Sequence, residues 1–259
     1  MASGATALEQ QQPNKWSKLA VVTLAYSLWL AATFVAAQLL LVAFVALVSS
    51  VGIDLAQYNT NLVMISLGVM TYGLMLAMTV GVPRWAIRQT TTWRELGMHR
   101  LLTWTEIGLA LAGMVTYFIL TAVLILVAQE ILPNFDLEQT QEIGISVTRP
   151  GLEMALAFLL LVAVGPIVEE LLFRGYLYGK LRTRGVPFWL TALVVSVLFG
   201  VAHMQWNVGV DTFALSLVMC ATREITGTIW PSILMHMMKN GIAFYFLFVN
   251  PQILQGVTG

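Results

Sequence analysis

Three short stretches hold the side chains of this sequence best suited to acid–base chemistry in an apolar setting. VGPIVEELLFRGYLYG, residues 164–179, places Glu169, Glu170 and Arg174 directly after the apolar run LEMALAFLLLVAV. LFGVAHMQW supplies Phe199 and His203, and WPSILMHMMKNG supplies His236 and Asn240. Charged groups at bilayer depth cost about 2.5–3.5 kcal/mol each for Arg, Lys or Asp on insertion scales, so they face the interior of a helix bundle and pair.

The spacing predicts who pairs with whom. Glu170 and Arg174 are four residues apart, share one helix face and are set to form an ion pair. Glu169 lies about 100° around the helix from Glu170 and reaches Arg174 less easily. One carboxylate is therefore expected to be neutralised and its neighbour left free. Gly165-Pro166 just upstream is expected to bend or loosen the helix and release backbone carbonyls. Phe199 and His203 are four apart, as are His236 and Asn240, the latter on a helix opened by Pro231. Of the three histidines, His99 lies in a basic loop, and the other two are expected within apolar helices. Each feature alone also has a purely structural reading: a Glu–Arg lock, an interhelical hydrogen-bonding histidine, a packed phenylalanine. An unpaired Glu and two His offered together to one interior are poor glue.

The elements that must position these groups are membrane helices. The chain has 259 residues, 58% hydrophobic and only 10% charged, against roughly 25% charged in soluble domains. Runs of about 20 apolar residues cross a bilayer; 19–48, 61–82, 104–132, 152–180, 187–205 and 229–249 qualify, and 209–222 is a shorter seventh. The expected fold is all-α, a polytopic transmembrane bundle of about seven spans (six to eight). Residues 1–18 read as a polar N-terminal tail and 19–259 as one membrane domain, its chemistry concentrated in about 150–250. The first apolar run is about twice the length of a signal-peptide core and reads as an uncleaved span. No period of 20–50 residues points to repeats.

Charge sets further expectations. Thirteen basic and thirteen acidic residues cancel, which suggests no nucleic-acid partner. Lys15 and Lys18 precede the first span, Arg84, Arg88, Arg94 and Arg100 fill the 83–103 connection, and Lys180, Arg182 and Arg184 follow the fourth span. The 49–60 connection has no Lys or Arg, and 133–151 is acidic except for Arg149. By the positive-inside rule this alternation predicts a cytoplasmic N-terminus in an integral protein of the plasma (cytoplasmic) membrane. PRWAIRQTTTWRELGMHR (83–100) reads either as an interfacial segment or as an ordinary cytoplasmic loop. Cys220, the single cysteine, excludes an intramolecular disulfide and any site built from two cysteines.

EELLFR (169–174), FGVAH (199–203) and HMMKN (236–240) resemble, in order and spacing, the EExxxR, FxxxH and HxxxN motifs of the CAAX protease and bacteriocin-processing family, which includes type II CAAX prenyl proteases. The resemblance covers about 150–250, and residues 1–149 share only a hydrophobicity pattern. It implies an all-helical intramembrane endopeptidase acting on a membrane-associated or prenylated, CAAX-like protein or peptide in the bilayer. Glu169 matches the catalytic glutamate, supported by Glu170 and Arg174, with His203, His236 and Asn240 at the remaining active-site positions and Phe199 packing beside them. Compatible roles are Glu169 as general base for water, His203 holding that water, and His236 with Asn240 stabilising the oxyanion.

Two mechanisms stay open at this level. One needs no cofactor and is the favoured reading; in the other Glu169, His203 and His236 bind a zinc ion with an open water position. A non-enzymatic transporter, or a scaffold or immunity protein retaining the fold, is the competing class. Counted along straight helices at about 1.5 Å per residue, His203 lies roughly 24 Å beyond Pro187 and His236 only about 8 Å beyond Pro231, so their depths are expected to disagree.

Overall fold

In lipid each backbone polar group needs an internal partner, which leaves helices as the solution for long apolar runs. The computed structural model describes residues 14–131, 144–146 and 150–255. Among them the long elements are seven helices. These are α1 (Lys15–Ser50), α2 (Thr60–Ile87), α3 (Trp104–Ile131), α4 (Leu152–Thr183), α5 (Phe188–Val201), α6 (Trp206–Thr226) and α7 (Trp230–Val249). Five are long and apolar enough to cross a membrane: α1, α2, α3, α4 and α7. The chain is an integral membrane helix bundle, as its composition predicts.

The boundaries revise the expectations in places. α1 begins at Lys15 rather than Leu19, because Asn14 caps it: the Asn14 side chain accepts from the Trp16 N–H at 3.3 Å. The rest of the polar tail and most of the acidic 133–151 connection lie outside the described residues. The short seventh run is a full 21-residue helix, α6, whereas α5 has only 14 residues. At about 1.5 Å per residue α5 spans roughly 21 Å, short of the ~30 Å hydrocarbon core.

The core sits where α4, α5, α6 and α7 meet, with α3 against α6 and α7. Close approach depends on absent side chains: a Cβ on Gly200 of α5 would come 2.7 Å from the Gly209 carbonyl of α6. α1 is held to α2 partly through polar groups. The Trp29 indole donates to the Thr79 carbonyl at 3.1 Å, in a π-helical turn of α2 (Ala77–Gly81), and the Thr33 and Thr79 hydroxyls meet at 2.9 Å. Such hydrogen bonds tie helices that lipid would otherwise solvate equally well.

The connection after α2 is more than a loop. Glu95 accepts from Lys180 at 3.1 Å, Lys180 also donates to the Thr90 carbonyl, and the Arg223 guanidinium donates to the Glu95 carbonyl at 3.0 Å. Gly179 lets this segment lie directly on α4, since a Cβ there would fall 2.3 Å from the Glu95 carbonyl. Trp85 and Trp93 remain exposed, while Leu96 is buried. Burial pushes the Glu95 carboxyl up, but hydrogen bonds from Thr92 and Lys180 outweigh it and hold the group below the usual carboxylate range. The segment thus docks the end of α4 that follows EELLFR.

Candidate active site

α4 carries both glutamates on one regular turn between two widened ones. Leu159–Val164 and Leu171–Leu177 are π-helical, and Gly165–Glu170 is α-helical between them. π turns recur at functional sites because they displace side chains and free backbone groups. The loosening expected at Gly165-Pro166 therefore lies on both sides of it. In the upstream π register the Gly165 N–H donates to the Leu160 carbonyl. The next donor in that register would be residue 166, a proline with no N–H. Asn240 takes its place: its side-chain amide donates to the Leu161 carbonyl at 2.9 Å.

Glu170 and Arg174 form the predicted pair. Both are fully buried, and the Arg174 Nη1 donates to Glu170 Oε1 at 2.9 Å. The same Oε1 faces Nδ1 of His236, also at 2.9 Å. A carboxylate shared by an arginine accepts, so His236 Nδ1 carries the hydrogen and Nε2 is left toward Glu169. Glu169 Oε2 lies 3.7 Å from that Nε2.

His203 departs from expectation in its setting. α5 stops at Val201, and His203 sits in the turn beyond it rather than within an apolar helix. Its Nδ1 nevertheless meets the Phe199 carbonyl at 2.8 Å. A carbonyl only accepts, so Nδ1 is the donor and Nε2 is the free nitrogen of the neutral ring.

Phe199 does more than pack. The Arg174 guanidinium lies 4.2 Å from the centre of its ring, and the His203 and His236 rings meet it edge-on at 5.1 and 5.6 Å. A phenylalanine face receives the cation, and both imidazoles stand roughly perpendicular to the same ring. This also settles the depth discrepancy. Both imidazoles touch one aromatic ring, so distance counted along separate helices does not translate into a common depth.

Glu169, His203, His236 and Asn240 all line one cavity of about 340 Å³. Two of the wall residues outside the three motifs' named positions carry polar groups with a side-chain carboxylate partner. Tyr72 of α2 donates its hydroxyl to Glu169 Oε1 at 2.6 Å, and Lys239 of α7 faces Asp211 of α6 at 3.4 Å. Lys239 was readable in principle as a further ionisable group in an apolar helix. Tyr72 carries no such mark, because a tyrosine in a membrane helix is unremarkable by type or spacing.

In the zinc alternative Glu169 and the Nε2 atoms of His203 and His236 would be the ligands, each imidazole being held through Nδ1. Among the described residues no three His, Cys, Asp or Glu side chains are grouped closely enough to hold a metal ion as they stand.

Residues 151–242 match the family model described as type II CAAX prenyl endopeptidase Rce1-like. Over these residues the chain is similar to that family. Within the curated proteins it is similar to the membrane-embedded CAAX protease MroQ of Staphylococcus aureus (strain USA300), 28% identical over 37% of this chain and 40% of that protein. It is also 30% identical to an uncharacterized 24.3 kDa protein of Escherichia coli, over 36% of this chain and 45% of the other. The putative membrane peptidase YdiL of Bacillus subtilis (strain 168) is 32% identical over 30% of this chain and 31% of its own length. The aligned stretch thus spans less than half the length of the curated relatives it matches. No solved structure matches the chain. The matched region contains the residues of all three motifs and excludes Tyr72, so one wall of the cavity comes from outside it.

Proposed function

We propose that this protein is an intramembrane endopeptidase that hydrolyses a peptide bond with a water activated by Glu169, no cofactor being required. The observation that carries the reading is the convergence of Glu169, His203 and His236, from α4, the α5–α6 turn and α7, on one cavity. Glu169 accepts a proton from a water molecule as the water oxygen attacks the scissile carbonyl carbon. The bare Nε2 of His203 accepts the water's other hydrogen and orients it. The second Asn240 N–H is directed to the developing oxyanion, and His236, held by Glu170 through Nδ1–H, donates to the same charge only when its Nε2 also carries a proton. Collapse of the tetrahedral intermediate breaks the C–N bond, and Glu169 returns its proton to the leaving nitrogen.

The substrate class that fits is a membrane-associated or prenylated, CAAX-like peptide or protein, since the relative from Staphylococcus aureus is named a CAAX protease. A cytoplasmic N-terminus and a plasma-membrane location belong to the same reading. The Lys180–Glu95 contact supports the orientation, because it brings the arginine-rich 83–103 connection beside the basic end of α4, on one side of the bilayer. The test uses purified protein in liposomes and internally quenched peptides ending in a farnesylated or unmodified CAAX sequence. Glu169→Gln is expected to lower cleavage at least about 10²-fold with an unchanged size-exclusion profile. Cleavage by Glu169→Gln at the wild-type rate would overturn the proposal.

A further inference from the structure

We infer that Tyr72, from α2, is a positioning residue for Glu169: its hydroxyl fixes one carboxylate oxygen so that the other faces His236 and the cavity. The inference rests on Glu169 acting as the base, and it deepens that reading by assigning part of the active site to the N-terminal half.

Three observations carry it. Tyr72 Oη donates to Glu169 Oε1 at 2.6 Å, while Glu169 Oε2 is the atom 3.7 Å from His236 Nε2. The two oxygens of one carboxylate thus have different neighbours, only Oε1 being hydrogen-bonded, and rotation of the group would cost the tyrosine hydrogen bond. Next, the contact is built by facing glycines. A Cβ on Gly165 of α4 would meet Tyr72 Oη at 2.9 Å, so the missing side chain is what admits the phenol. On α2, Gly68 lies four residues before Tyr72, on the same face, and a Cβ there would meet Leu160 Cδ2 at 2.9 Å. α2 and α4 therefore approach closely on either side of the hydroxyl. Third, Tyr72 lines the same cavity as Glu169, His203 and His236. A tyrosine serving only to tie two helices would not need to bind the carboxylate within that cavity.

Two readouts separate positioning from mere structural support. Tyr72→Phe keeps the ring and removes only the donor. With the internally quenched farnesylated CAAX peptide, the acid limb of its kcat/KM profile is expected to move to higher pH by about one unit. That is the size expected of a hydrogen bond to a charged group. KM should stay within about twofold of wild type. The infrared difference between wild type and Glu169→Gln isolates the Glu169 carboxylate stretch, and that band is expected to shift in Tyr72→Phe. Gly165→Ala, which crowds the phenol, should reproduce the shift and add little in a Tyr72→Phe background. A band and a limb that both stay in place in Tyr72→Phe overturn the inference, even where Glu169→Gln abolishes cleavage. A shifted band with an unmoved limb also overturns it, leaving a structural tie. Should Glu169→Gln cleave normally, the base assignment itself fails, and the infrared band then judges the contact alone.

Discussion

α1 and α4 are both apolar helices of more than 30 residues, yet they live in different solvents. Only 11% of the most apolar stretch of α1 is buried, against 44% in α4. α1 buries Leu19, Leu30, Thr33 and Ala37 across its whole length, while every residue from Leu172 to Leu181 is buried. Hydropathy cannot tell these helices apart, because a lipid tail and a leucine side chain are equivalent neighbours for an apolar residue. Ionisable groups make the distinction: Glu170 and Arg174 need protein neighbours, and His236 of α7 meets the Glu170 carboxylate while the Phe199 ring of α5 covers the Arg174 guanidinium. The comparison teaches that the few charges of this sequence, rather than its many leucines, select which helix becomes the core.

The largest expected effect lies at the buried pair. Arg174→Met leaves Glu170 without its cation and should destabilise the protein by about 3–5 kcal/mol, read as detergent-solubilised thermal or denaturant unfolding. Adding Glu170→Gln removes the stranded charge and is expected to restore part of that loss. No recovery in the double variant would show that Arg174 matters through its packing on Phe199 instead. A middle-sized effect compares the two helices directly. Leu177→Ala, fully buried on α4, should cost about 2–5 kcal/mol, whereas Leu39→Ala, 64% exposed on α1, should change stability by no more than about 0.5 kcal/mol. Equal costs would dissolve the distinction between the two helices.

The smallest effect tests how α4 is docked at its far end. The folded Glu95 carboxyl titrates below its unfolded value, so its contribution is fully present above about pH 4.3. That contribution is lost as pH falls through the lower folded value. Thermal stability should therefore decline on acidification below about pH 4, and Glu95→Gln should weaken that dependence while lowering stability near neutrality. An acid profile identical in both proteins would mean that the Lys180 contact adds nothing measurable.

The all-helical architecture was legible in the apolar runs, and so was the Glu170–Arg174 pair, since a spacing of four survives even where the helix widens to π geometry. What the sequence hid follows from long-range placement. His203 lies past the end of α5, because that helix stops at Val201, four residues short of the end of the apolar run 187–205. Phe199 reads as ordinary packing until Arg174, His203 and His236 are seen around its ring. Asn240 is expected as an oxyanion donor, but the missing N–H of Pro166, on another helix, gives one of its hydrogens a carbonyl to satisfy. Tyr72 was invisible for the simplest reason: 97 residues separate it from its partner, and no local pattern marks the pairing.

By itself the sequence determined a membrane-embedded helical chain and the chemical types available to it, because hydrophobicity and the cost of buried charge are local properties of each segment. Which groups meet, which nitrogen of each imidazole is left bare, and which oxygen of Glu169 faces the cavity were decided only by tertiary structure. Those choices depend on helix ends, glycine contacts and shared rings between distant segments.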